Sequence, residues 1–416
     1  MHYLKVAVKV LLRRKFFTFI SLFGISISLL VLLIAAALLD HAFAPHAPEV
    51  RSDRTLGMYT LSMRGPTASR TSQPGYGFLD RWVRPMAAMP EVERISIFRG
   101  AQRRASYLDG KRIDSYLKQT DGEFWQVYRF DFLEGGPFLP DDDKNARFVA
   151  VINETTRQRF FGGAPAVGRS LTVDGQRFRI VGVVKDVAFL RFLSFSDIWV
   201  PISTARSQAY RTDWMGDFSA VFLARDRSGF PAIKRELAAR LRQAEKEMPE
   251  RNLFERMAGG ADTLFEATAR GLLSNDMSKA EPEKLLALLV TGMVLFLLLP
   301  TLNLVNINLS RVLERSSEIG VRKAFGASSR ALIGQLVLEN IVLTLIGGAI
   351  GLVLAAAVLA GINDSGLIPY SQLGLNLRVF LQGLGIALFF GVLSGIYPAW
   401  RMSKLRPVQA LQGRPL

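Results

Sequence analysis

The chain of 416 residues has no cysteine and only three histidines. The first absence excludes disulfides, so every domain must be held by its own core. The second argues against zinc, because His2, His41 and His46 are too few and too scattered for a ligand set. Charge is also missing, and in a pattern. Phe16–Leu39, Leu285–Asn308 and Val379–Tyr397 carry none, and Ala331–Ile362 carries only Glu339. About 20 apolar residues in helical form cross a hydrocarbon core of roughly 30 Å. Four spans are therefore expected.

Acids are scarce where the runs meet polar sequence. Residues 1–15 carry Lys5, Lys9, Arg13, Arg14 and Lys15 with no acid. Residues 310–330 carry five bases against Glu314 and Glu318, and residues 398–416 carry four bases and no acid. Most of the net charge of +16 lies in these three segments. Such a distribution does not describe a nucleic-acid binder. Short loops rich in Lys and Arg stay in the cytoplasm. This predicts a cytoplasmic amphipathic N-terminal segment (1–15), a first span (16–39), an outer domain (40–284) and a second span (285–309). A cytoplasmic loop (310–330), a third span (331–362), a short outer loop (363–378), a fourth span (379–397) and a cytoplasmic tail (398–416) follow. The first run of about 24 residues exceeds the roughly 7–15 of a signal sequence's apolar core. Pro45 follows the cleavage-like Ala42-Phe43-Ala44, so an uncleaved anchor is expected.

Within the outer segment, Gly163-Ala164-Pro165-Ala166-Val167-Gly168-Arg169-Ser170 is one residue short of a phosphate-binding loop, with arginine in place of lysine. Its context is reversed. Such a loop follows a strand and opens a helix. Here "NETTRQRFF" reads as a helix with Asn153 as N-cap, and "RSLTVDGQRFRIVGVVKDV" reads as strand, Asp174-Gly175 turn and strand. Nucleotide binding is not expected, and the glycines read as turns. Asp141-Asp142-Asp143-Lys144-Asn145 imitates a calcium loop, but Ala146 and Ile152 stand where glycine and glutamate are needed. It reads as a solvated loop.

The rest of the segment mixes strand-like stretches such as "DIWVPIS" with a helix. In "FPAIKRELAARLRQAEKEM", Ile233, Leu237, Leu241 and Ala244 share a face, and Pro231 suits the start. An α+β domain follows. "LFEATARGLLSND" is expected to be a stalk helix running into the second span. No Ser-His-Asp, paired-carboxylate or metal constellation stands out, so no catalytic residue is assigned.

The inner loop "SRVLERSSEIGVRKAFGASSR" reads as a short amphipathic helix. Glu318 and Arg322 are spaced for a helical pair. Ile319, Val321, Ala324 and Phe325 supply apolar surface, and Gly326 ends the turn. In the spans, Gly347-x-x-x-Gly351 and Gly391-x-x-x-Gly395 permit close helix approach. Pro300 permits a kink. Asn303 and Asn306 share a face, and Glu339 is the one intramembrane acid, expected near the inner interface beside a loop arginine or a helix end.

"SSEIGVRKAFGASSRALIGQLVLENIVLTLIGGAIGLVLA", "SGIYPAWRMSKLRPVQALQ" and "VINETTRQRFFGGAPAVGRSLTVDGQRFRIVGVVKDV" resemble the third-span motif, the C-terminal signature and the outer domain of FtsX-like and MacB-like ABC permeases. The resemblance covers essentially the whole chain. It implies four transmembrane helices with a large α+β extracytoplasmic domain between the first two, in the bacterial inner membrane with both ends cytoplasmic. It implies mechanotransmission: a cytoplasmic ABC ATPase uses ATP and Mg, and the spans carry the motion outward. The chain itself takes no cofactor or metal. Only about 15 residues precede the first span, so the ATPase is expected on a separate chain. The ATPase is expected to seat on Glu318, Ile319, Gly320, Val321, Arg322, Lys323, Ala324, Phe325, Gly326 and Ala327. A second permease copy or paralogue completes a dimer, a periplasmic adaptor is an optional partner, and lipid surrounds the spans. Export of peptides, antibiotics or lipid-linked substrates is the leading expectation. A division-type permease controlling a cell-wall hydrolase and a lipoprotein-releasing permease are the alternatives.

Overall fold

The computed structural model describes residues 15–108, 111–249, 251–274, 277, 279–314 and 329–403. Two compact units emerge. One holds residues 40–286 and Gly366–Gln372, and the other holds the long apolar helices.

Helix α1 (Lys15–Phe43) opens the chain. It is apolar on every side, so periodicity cannot reveal its packed face. The structure does: Ser21, Ile25, Leu29, Leu33 and Ala37, each four residues apart, are buried.

The outer unit follows. Its strands are β1 (Thr55–Met58), β2 (Leu61–Arg64), β3 (Ser69–Pro74), β4 (Val92–Arg99), β5 (Gln102–Leu108), β6 (Lys111–Thr120) and β7 (Phe132–Gly135). After them come β8 (Val149–Asn153), helix α2 (Glu154–Phe161), β9 (Ser170–Val173), β10 (Gln176–Val184), β11 (Ile198–Pro201), β12 (Met215–Gly216) and β13 (Phe218–Ala224). Helix α3 (Phe230–Ala244), β14 (Arg256–Gly259) and helix α4 (Leu264–Leu273) complete it.

Among the described residues ten strands form one sheet and β12-β3-β2-β14 a second. Part of the large sheet closes on itself. β6 pairs β11, then β8, β10, β9 and β5 follow, and β5 pairs β6 again. The barrel so formed is filled by Leu117, Ile152, Leu171, Phe178, Ile180 and Ile198. Its other face carries an aromatic cluster around Phe98, Phe124, Trp125 and Trp199. A third core, beneath α3, joins β1, β4 and β13 to the small sheet.

Local chemistry accounts for the elements read from sequence. Asn153 caps α2 through Oδ1, accepting from the Thr156 amide at 2.8 Å. Asp174 and Gly175 take positive φ (51° and 70°) in the turn between β9 and β10. Ile233, Leu237, Leu241 and Ala244 are the buried face of α3.

Two expectations need correction. Pro140–Lys144 is not an irregular loop but one helical turn, closed by Asp142 accepting from the Leu139 amide. The stalk does not run into the second span. Helix α4 ends at Leu273, and Ser274 is extended. Arg270 is held by Asp262 and the Met277 carbonyl, and the next helix starts afresh at Pro282, a residue suited to a first turn.

The helical unit continues with α5 (Pro282–Glu314), α6 (Ser329–Ser365) and α7 (Leu377–Ser403). Helix α1, residues 282–299 of α5 and residues 337–365 of α6 are long and apolar enough to cross a membrane. The apolar run of α7, Leu377–Leu393, is shorter.

Candidate functional site

Small residues set the contacts of the helical unit. Ser26 Oγ of α1 donates to the Gly347 carbonyl of α6 at 2.9 Å. A Cβ on Gly347 would lie 2.9 Å from Ile25 Cγ2, and one on Gly351 would lie 2.9 Å from the Ser26 carbonyl. Both glycines thus face α1 within this chain. Gly391 of α7 faces α6: a Cβ there would meet Thr344 Oγ1 at 2.9 Å, and Asn340 Nδ2 donates to the Gly391 carbonyl at 3.0 Å. Glu339, next to Asn340, is buried inside this unit. Asn303 and Asn306 fall in α5, Asn306 exposed. Pro300 lies within the same continuous helix, and Gly395 within α7. The whole segment Glu318–Ala327 lies outside the described residues.

In the outer unit, the phosphate-loop lookalike is a helix-to-strand connection. Helix α2 ends at Gly162, and Gly162, Gly163 and Gly168 all have positive φ. The loop amides of Ala166 and Val167 donate to Glu134 Oε2 at 2.9 and 3.4 Å. Arg157 pairs with Glu134 Oε1 at 2.9 Å, and the Arg169 guanidinium lies over the Phe161 ring. The loop's anion is therefore the protein's own carboxylate.

Sequence reasoning missed a buried ionic cluster. Glu49 accepts from Ser194 N and Oγ at 3.1 and 2.6 Å, and lies 3.6 Å from Arg191 Nη1. Arg191 also donates to the Ala44 carbonyl at 2.7 Å. Burial pushes the Glu49 carboxyl up, against its bonds to Ser194 and the charge of Arg191. Lys118 of β6 is fully buried with Nζ 4.9 Å from the Phe98 ring centroid, and no hydrogen-bond partner for Nζ is found among the described residues. Burial lowers its pKa to about 7, opposed by Glu49. The face of β6 that carries Lys118 is covered by the aromatic cluster, while Leu117 on the opposite face fills the barrel.

Glu49 also lines a cavity of about 530 Å³, with Phe43, Phe230 and Phe265 forming apolar wall and Asp53 and Arg227 at its polar side. Among the described residues no cluster of His, Asp and Glu is arranged to hold a metal ion. The outer unit is thus a packed body with a modest cleft.

Comparisons with known proteins agree with this layout. Residues 18–240 match the family described as MacB-like periplasmic core domain, and residues 290–407 match the FtsX-like permease C-terminal family. The pyoverdine export ATP-binding/permease protein PvdT of Pseudomonas syringae pv. syringae is 27% identical over 415 residues, covering 98% of this chain and 59% of that protein. The macrolide export ATP-binding/permease protein MacB of Chromobacterium violaceum is 30% identical over 291 residues, covering 70% and 42%. The ABC transporter permease YknZ of Bacillus subtilis is 24% identical over 341 residues, covering 80% and 79%. The chain spans about half the length of the ATP-binding/permease relatives it matches. Among solved structures, the extracellular domain of YknZ aligns with a TM-score of 0.36 at 13% identity, covering 49% of this chain and 98% of that one.

Proposed function

The chain belongs to the MacB-type and FtsX-type ABC transporter permeases, and on that premise we propose that it converts ATP hydrolysis by a cytoplasmic partner ATPase into movement of its outer unit. The observation that carries this reading is the layout. An α+β body interrupts an apolar helical body between its first and second long helices. The cargo class is peptides, antibiotics or lipid-linked molecules, in keeping with the exporters among its relatives. Helices α1, α5, α6 and α7 are four spans of the inner membrane with both chain ends in the cytoplasm, as the basic flanks require.

The partner ATPase seats on Glu318–Ala327, between the second and third spans, where a push reaches both. A second copy of the permease covers α5. In its apolar window 11% of residues are buried, against 39% in those of α1 and α6, which leaves this stretch of α5 with more surface to offer than either.

The test is co-expression with a candidate cytoplasmic ABC ATPase from the same genome. The two should co-purify, and cells should export cargo only with a hydrolysis-competent ATPase. Undiminished export after deletion of the ATPase overturns the reading.

A further inference from the structure

The segment Gly366–Gln372, between α6 and α7, is part of the outer unit rather than of the helices it connects. It is fastened there by three kinds of contact. The Phe189 amide donates to the Pro369 carbonyl at 3.0 Å. The Tyr370 ring tilts against Phe195, centroids 6.3 Å apart. Tyr370 Oη donates to Asp197 Oδ1 at 2.6 Å.

Asp197 is an unusual place to fasten a loop. It is buried, and directly precedes β11. Its Oδ2 accepts from the Tyr116 amide of β6 at 2.8 Å, and Oδ1 also accepts from Asn153 Nδ2 at 3.2 Å. Its own carbonyl accepts from the Asn153 amide at 2.9 Å. One carboxylate therefore joins β6, the end of β8, the cap of α2 and the start of β11. Tyr370 adopts a left-handed φ of 56°. A bulky side chain keeps that conformation only where its surroundings over-determine it. Burial, and then the Asp197 charge, push the Tyr370 phenol up, so it stays a proton donor.

We propose that Gly366–Gln372 is a strap through which movement of the α6–α7 hairpin reaches the barrel, with the Tyr370–Asp197 hydrogen bond as its clasp. The chain also passes between the two units at 39–40 and 286–287. The strap adds a pull on the barrel strands themselves. Tyr370 is a positioning residue that touches no cargo. This rests on the mechanical reading of the permease, so its test is chosen to run without ATP or a partner.

The full chain is placed in nanodiscs of thin and thick bilayers. Changing bilayer thickness tilts or shifts spans. Amide exchange is then followed in peptides covering 114–120, 150–156 and 189–198. In the wild type, exchange should differ about threefold or more between the bilayers. In Tyr370→Phe the difference should vanish while the thermal midpoint stays within a few degrees. The Phe189 amide should exchange faster in both bilayers. Replacing 367–371 with Gly and Ser at equal length should reproduce this result. A bilayer-independent wild type, or a Tyr370→Phe chain that responds like the wild type, overturns the strap. With the ATPase present, Tyr370→Phe should export about fivefold less at an unchanged hydrolysis rate, and unchanged export also overturns it. A wild type that exports nothing sinks the transport reading instead, and the bilayer result still decides the strap.

Discussion

Ser26 Oγ reaches the carbonyl oxygen of Gly347 at 2.9 Å, a side chain of the first long helix bonding the backbone of the third. Only glycines at 347 and 351 let the two helices come this near. In a bilayer, where lipid is as apolar as leucine, such close packing and interhelical bonding hold helices together.

Gly351→Ala should therefore destabilise the helical unit. The new Cβ would press on the Ser26 backbone at 2.9 Å, and overpacking of this kind costs about 1–3 kcal/mol. Gly385→Ala, with nothing within 4 Å, should be silent. Thermal unfolding in detergent, read by fluorescence, compares them. Equal midpoints for the two variants would contradict the packing.

Lys118→Met should stabilise the outer unit, and more at pH 6 than at pH 10. Folding lowers the lysine's pKa from 10.5 to about 7. Between those values the unfolded chain binds more protons than the folded one, so the lysine's contribution rises with pH across that window. Its cost is greatest below pH 7 and fades toward pH 10.5. Chemical denaturation at both pH values measures it. A variant less stable than wild type at pH 6 would show that Lys118 is needed in its charged form.

Arg169→Lys completes the glycine–lysine pattern without creating a nucleotide site, because the loop amides already serve Glu134. ATP titration should show no binding. Glu134→Ala, by contrast, strands two amides and Arg157, and should cost about 1–3 kcal/mol. Nucleotide turnover by purified Arg169→Lys is the adverse result.

In the inner loop, Phe325→Ala should weaken ATPase association by about 2 kcal/mol, as loss of an apolar anchor does. Arg322→Ala should act chiefly on association rate and salt sensitivity. Reversing both charges, Arg322→Glu with Lys323→Glu, should abolish co-purification. Full association after the double reversal would reduce the segment to a membrane-surface helix.

Reporter fusions after Leu416 and within 52–66 should lie on opposite sides of the membrane, the first cytoplasmic. The same side for both excludes the four-span arrangement.

Much of this architecture was legible in sequence because its signals are local. Uncharged runs marked the apolar helices, Asn153 marked the start of α2, and four apolar positions marked the buried face of α3. Contacts made at a distance were not legible. Nothing near Lys118 tells that both faces of its strand are covered, since Phe98 comes from another strand and Trp125 from a separate turn. Nothing near Tyr370 points to Asp197, 173 positions away. The break between α4 and α5 was missed for the opposite reason. The apolar pattern of "LFEATARGLL" encouraged continuity, whereas Arg270, bound to both Asp262 and Met277, turns the chain aside.

The barrel is not fastened equally around its circumference. β5 and β6 share seven paired positions, but β5 meets β9 at a single pair, Ser106 with Val173. At that seam Ser106 Oγ is buried, with no hydrogen-bond partner among the described residues. A closed wall with one weak join fails there first. Thermal breathing would part β5 from β9 before any other neighbours, solvating Ser106 and baring two short strand edges. A fragment ending within β9 would lose the join altogether and leave a flat, sticky margin, which makes this seam the place to watch when the outer unit is expressed alone.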